Sequence, residues 1–471
     1  MEAKIFFGDV EVGKTEWLEI RSPYSGEVVS KYPLCDAADA REALRIAREA
    51  FRKNRDIPLS QRVQWLEDVI AALEDEKEDM ARTIMQEVGK PIHFARIEVE
   101  RCIETLKLSV AAGIESHGET FNSDAMPSGR KSISYYTRVP VGVAALITPF
   151  NFPLNLIAHK LGPALIAGNS VVLKPTPEAP LTAYKFARLF IRSPHRALNA
   201  LSLVYGDAEV GGTLVRSDIP RAISFTGSVP VGRIIMREAG IKKVSLELGG
   251  NAATFIDESA DLESAAKKCA FGSFYNSGQV CISLQRIYVH EKVADRFASL
   301  MAQEAAMLKV GDPADEETFL GPLISEEAAE RAEKWVQSAI EEGAEALCGG
   351  KREGKIFPPT VMNRVTDDMN IVCEEVFAPI VSIVSVADFD EALRKINDSP
   401  YGLQYSIFTN DLANTRRAIA EFECGGVVVN DIPTVRFDIQ PYGGSKLSGI
   451  GKEGPKYALE EFTEIKSIVI F

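Results

Sequence analysis

A chain of 471 residues, 46% of them hydrophobic and 25% charged, has the make-up of an ordinary soluble globular protein and the length for about three domains. Its net charge of −14 and pI near 5.1 argue against nucleic-acid backbones and anionic membranes as main partners, because both demand basic surface. The seven cysteines form no C-x-x-C pair, which disfavours both a zinc knuckle and a disulfide framework and points to a reducing compartment, and no metal site is expected. The N-terminus lacks the layout of a signal peptide and no apolar run matches a bilayer, so the expectation is a soluble cytoplasmic protein.

The first residues alternate as strands do, and Pro23 and Gly26 mark a turn between two further strands. Asp36 is read as the cap of a helix with Ala40, Leu44, Ala47 and Phe51 at helical spacing, and Ser60 as the cap of the next, with Val63, Leu66, Ile70 and Leu73. Gly89 ends a third helix that starts near Lys77, and a longer one runs from His93 to about Ala112. From Val141 the texture changes to short apolar runs separated by helical patterns: VGVAALI, SVVLK from Ser170, LSLVYG from Leu201, AISFTG from Ala222 and VSLELGG from Val244. Runs of this kind predict a parallel sheet covered on both faces, with ligands at the carboxyl ends of its strands. A second set follows with NAATFID, a helix from about Asp261, LQRIYVH, a helix from about Val293, then VSIVSV, YSIFTN and GGVVVND. Two isolated strands, ISYYTRV and TEIKSIVIF, suggest a small β extension of the sort that pairs with a neighbouring subunit.

Four places carry chemistry. Cys281 follows Gly278, Gln279 and Val280 and offers a thiolate nucleophile, although a lone cysteine is more often a small buried hydrophobe. Thr226 to Gly232 form a turn between a strand and a helix whose N–H groups suit a phosphate; it is neither a dinucleotide fingerprint nor a P-loop, and a bare tight turn is the alternative. Glu247 ends a strand just before Gly249 and Gly250, as a base at the sheet's mouth or as half of a buried ion pair. Asn151, framed by Pro149 and Pro153, is placed to aim an amide at an oxyanion or to serve as a plain turn residue.

Taken together, ITPFNFP, VVLKP, FTGS, LELGGN, GQVCIS, EEVFAP and PYGGSKLSGIG stand in the order and spacing of the aldehyde dehydrogenase superfamily, which the whole chain from about Ile20 resembles. The resemblance implies an α/β fold with two doubly wound parallel-sheet domains and a β oligomerisation extension. Residues 1–117 and 141–248 would bind the dinucleotide, 249–447 would form the catalytic domain, and 118–140 with 455–471 the extension, in a homodimer or homotetramer. It implies Cys281 as nucleophile, Asn151 with the Cys281 N–H as oxyanion hole, and Glu247 as base for thioester hydrolysis. NAD or NADP would lie along Thr148, Pro149, Phe150, Lys174, Thr176, Gly211, Thr226, Gly227, Ser228, Leu248 and Gly249, with Glu375 and Phe377 at the nicotinamide ribose. NAD-preferring relatives commonly read K-P-S-E where this chain reads Lys174-Pro175-Thr176-Pro177, with Glu178 one position late, so acceptance of NADP stays open.

The nearest branch resembles dehydrogenases of lactaldehyde, semialdehydes and glyceraldehyde phosphate. Arg101 and Arg436 are candidate partners for an anionic substrate tail, with a surface salt bridge the alternative for Arg101, and Asn155 and Ser283 for a 2-hydroxyl. A CoA-acylating relative, disfavoured by Glu247, and a non-catalytic structural protein on the same fold are the competing readings.

Overall fold

The computed structural model describes residues 1–471, and its architecture is two α/β sheets and one long ribbon. At the centre of the first sheet, Leu201–Leu203, Ser170–Lys174, Val143–Ile147, Ala222–Thr226 and Lys243–Glu247 run parallel side by side. Antiparallel strands close both edges: Ile5–Phe7 and Val10–Val12 on one side, and Gly449–Ile450, beside Glu247, on the other. The second sheet orders Glu345–Cys348, Thr360–Asn363, Ile380–Val386, Leu284–His290, Ala252–Ile256, Gln404–Phe408 and Gly426–Val429, parallel except at its first pair. Central strands such as SVVLK and AATFI are buried along their whole length, as strands covered by helices on both faces must be.

The helix Ala37–Asn54 carries the expected Asp36 cap, completed by Asp39 as a capping box. The next helix, Leu59–Asp75, corrects the expectation for Ser60. Pro58 occupies the cap position, and its carbonyl accepts the first helical N–H groups, from Gln61 and Arg62, so Ser60 lies inside the first turn. The strands Ile133–Pro140 and Thr463–Ile470 pair with each other over their full length, from Ile133 opposite Ile470 to Pro140 opposite Thr463. Within 455–471 the ribbon begins only at Thr463. The preceding residues form the helix Pro455–Glu461, which places Ala458 and Leu459 in the core of the first sheet because they are its apolar face. No helix is long and apolar enough to cross a membrane.

Candidate active site

Strand ends of both sheets open into a cavity of about 560 Å³. It brings together Cys281, Glu247 and Asn151 with Pro149, Phe150, Thr226, Gly227, Ser228, Leu248, Gly249, Glu375, Phe377, Asn155, Arg101 and Arg436. Asn151 sits in the turn after Val143–Ile147. Its Nδ2 donates to the Gln279 carbonyl at 2.9 Å, while its buried Oδ1 has no partner. The helix that follows, Asn155–Ile166, is fixed at its start by Glu98, whose Oε1 accepts from the Leu154 and Asn155 N–H groups at 2.9 and 3.2 Å. The other Glu98 oxygen pairs with the buried ammonium of Lys90.

Cys281 is presented by a left-handed turn. Asn276 and Ser277 adopt φ of 51° and 55°, a conformation that costs non-glycine residues about 1–3 kcal/mol each. Side-chain bonds tie it to other segments: Asn276 Nδ2 donates to the Asn151 carbonyl at 3.3 Å, and Ser277 Oγ to the Gly321 carbonyl at 2.9 Å. Gly278, at φ 70°, completes the turn, and a side chain there would strike the Ala378 carbonyl. Burial pushes the Cys281 thiol up to about 11, against a hydrogen bond with Tyr442 Oη at 3.0 Å.

Glu247 ends the strand Lys243–Glu247. It is 3% exposed and neither carboxylate oxygen has a partner. Burial, then the negative charge of Glu453, raises it well above the ordinary carboxylate range. Burial acts on Glu453 too, but Lys160 at 2.9 Å and Arg436 at 3.1 Å hold that group far below the usual range.

On the cofactor side, Ser228 begins the helix Val229–Glu238 without a side-chain cap, leaving N–H groups free for a phosphate. A side chain at Gly249 would strike the Glu375 carboxylate, which accepts from the Gly250 N–H at 2.9 Å and is raised by burial to about 7. Phe377 holds φ at 51°, with its ring edge-on to Phe150 at 6.1 Å. Lys174, Thr176, Gly211 and Thr148 do not line this cavity. They gather at the neighbouring strand end: Thr148 N–H bonds the Lys174 carbonyl, and a Cβ on Gly211 would lie 3.8 Å from Lys174 Cδ. The Thr176 hydroxyl donates to Glu178. Burial lowers the Lys174 pKa, and Thr148 Oγ1 is buried without a partner. An uncapped helix start, a buried ammonium and an orphaned hydroxyl suit a dinucleotide.

On the substrate side, Arg101 forks onto Asp438 at 2.9 and 2.7 Å. Burial opposes the Asp438 charge, but His159 and Arg101 hold this carboxyl far below its usual range. Arg436 bonds Glu453 and lies over the Tyr442 ring at 3.7 Å. Asn155 accepts from Thr105 at 3.0 Å. Ser283 is a correction. It is 1% exposed, does not line the cavity and donates to the Ser273 carbonyl at 3.1 Å, because residues 280–283 form a turn that faces its hydroxyl inward.

Sequence reasoning missed His159, Lys160, Tyr442 and Glu453. A signal existed for two of them. His159 and Lys160 stand among Asn-Leu-Ile-Ala and Leu-Gly-Pro-Ala in a helix buried on every side, and a charge there demands a partner.

A model of the aldehyde dehydrogenase family matches residues 10–468. A 3-sulfolactaldehyde dehydrogenase of Priestia aryabhattai is 44% identical over 456 residues, 97% of this chain and 95% of that one. The crystal structure of aldehyde dehydrogenase 21 from Physcomitrella patens, in complex with its reaction product succinate, superposes with a TM-score of 0.97 at 36% identity, covering 100% of this chain and 98% of that one. That of glyceraldehyde-3-phosphate dehydrogenase GapN from Methanocaldococcus jannaschii, complexed with NADP, gives 0.92 at 39% identity, covering 98% and 100%.

Proposed function

The chain belongs to the aldehyde dehydrogenase family and is an aldehyde-oxidising enzyme that works with NAD or NADP; from that premise we propose that its substrate is a short aldehyde with an anionic tail, oxidised to the carboxylic acid through a thioester on Cys281. The observation that carries this reading is the convergence of Cys281, Asn151 and Glu247 with two arginines on one cavity. Cys281 attacks the carbonyl carbon as thiolate. The oxyanion that forms is received by the second Asn151 amide hydrogen and the Cys281 N–H. The bound dinucleotide supplies the hydride acceptor. Glu247 then takes a proton from the water that hydrolyses the thioester, for which an oxygen free of other partners suits it. Phe152, Leu156, Val280 and Ile282 wall the sulfur in apolar surface and limit stray water.

The tail's charge is argued from the two arginines: Arg101 and Arg436, oriented by Asp438 and Glu453, line the cavity, and a planar guanidinium suits a carboxylate, sulfonate or phosphate. A 3-sulfolactaldehyde dehydrogenase among the relatives and succinate in a structural neighbour support the same class. The first sheet serves the dinucleotide and the second the thiol, while the outer ribbon, with Ile465 and Ile470 exposed, meets a second copy in a homodimer or homotetramer.

The test is a panel of kcat/KM values for 3-sulfolactaldehyde, glyceraldehyde 3-phosphate, succinic semialdehyde, lactaldehyde and propanal, each with NAD and NADP. One of the three anionic aldehydes should lead by about tenfold or more, the worth of one charge-assisted hydrogen bond. A lead for lactaldehyde or propanal refutes the anionic tail, and acceleration by CoA refutes hydrolysis.

A further inference from the structure

We propose that the Tyr442 hydroxyl is a catalytic group of this enzyme, donating a hydrogen bond to the Cys281 sulfur both before attack and as sulfur leaves the thioester, a role that rests on the mechanism above. Tyr442 is 3% exposed, and its hydroxyl lies 3.0 Å from Cys281 Sγ. The sulfur is the one hydrogen-bond partner of that buried oxygen.

The aim is built into the backbone. Tyr442 N–H donates to the Glu453 carbonyl at 3.1 Å and the Glu453 N–H returns a bond to the Tyr442 carbonyl at 2.6 Å. The ring is clamped between the Arg436 guanidinium at 3.7 Å and the apolar cluster of Phe152, Leu156, Val280 and Ile282. Arg436 is itself tied to Glu453. A ring held at its backbone and on its faces cannot swing its oxygen away at little cost.

The chemistry fixes which atom donates. Burial, then the neighbouring sulfur, raises the Tyr442 pKa far above that of a free phenol, so the oxygen keeps its proton wherever the sulfur is a thiolate. The cation over the ring strengthens the O–H as a donor. Sulfur carries negative charge at two points of the cycle and is neutral between them. At the second, water adds to the thioester carbon and gives its proton to Glu247. The C–S bond then breaks with its electron pair on sulfur, and the Tyr442 O–H stabilises the thiolate without giving up its proton.

Tyr442→Phe removes one oxygen and keeps the ring, so it tests the bond without emptying the site. The first measurement needs no aldehyde: the rate of Cys281 alkylation by iodoacetamide across pH, read on the Cys281 peptide by mass spectrometry so that the other cysteines do not count. The variant's alkylation midpoint should move up by about one pH unit, which is about tenfold slower alkylation at a fixed pH below it. In turnover, kcat should fall about tenfold with KM within about twofold. An unchanged midpoint overturns the proposal, as does a raised KM with kcat intact, which would make Tyr442 a substrate ligand instead. If the wild-type chain oxidises no aldehyde with either cofactor, the mechanism fails and this role falls with it; an unshifted midpoint in an enzyme that does turn over removes Tyr442 alone.

Discussion

Glu98 and Glu247 are 1% and 3% exposed, yet their surroundings differ in kind. Glu98, in the long helix Ile92–Glu115, is saturated by an ammonium on one oxygen and two backbone N–H groups on the other. The carboxylate of Glu247, at the mouth of the first sheet, has no hydrogen bond and has the charge of Glu453 set against it. A saturated carboxylate fixes shape, here the entry of the helix behind Asn151. A starved one is ready to exchange a proton. Fold and chemistry thus draw opposite value from the same side chain, and hydrogen bonding separates the two uses where burial does not.

The contrast predicts that the two sites break in different observables. Glu247→Gln should lower steady-state turnover by about 10²–10⁴-fold, the range for loss of a general base, while leaving the melting temperature unchanged or higher. Its pH dependence sharpens the point. The folded pKa of Glu247 lies above the ordinary 4.5, so the native state holds a proton that the unfolded chain has lost. That contribution to stability is complete below 4.5 and is lost as pH rises through the raised value. The glutamine variant should therefore show a flatter fall of stability with rising pH, measured by urea unfolding across that window.

Glu98→Ala should do the reverse. It leaves Lys90 buried and unpaired, at a cost of about 3–5 kcal/mol in unfolding free energy. A stability within 1 kcal/mol of wild type, on the order of the error of such titrations, would show that Lys90 finds another partner. The smallest effect belongs to Ser60→Ala. Because Pro58 rather than Ser60 holds the cap position, this change should stay within about 0.5 kcal/mol, where a true cap costs about 1.

The same contrast explains what the sequence made legible. Strands such as Ser170–Lys174 and Leu284–His290 are legible to the residue, since short length, β-branched and aromatic side chains and flanking turn residues favour a strand over a helix. Cys281, Asn151 and Glu247 stood out because each sits where a strand or turn gives way to Gly and Pro punctuation. Their energetics did not stand out. The starvation of Glu247 and the saturation of Glu98 are set by Glu453 and Lys90, and Lys160 finds Glu453 across 293 positions of chain. Ser283 failed for a local reason: proximity to Cys281 says nothing of direction where the backbone turns between them.

The first sheet is closed late. Gly449 pairs with Glu247 itself, and Ala458, Leu459 and Phe462 fill the core beneath. During synthesis the strand bearing Glu247 emerges long before its edge partner, and it waits with one side unpaired until Gly449 has left the ribosome. Long-range closure of this kind is slow and exposes a strand edge to aggregation in the interval. A nascent chain stalled before Gly449 would hold its thiol, its amide and both arginines, and still present an open sheet to the chaperones.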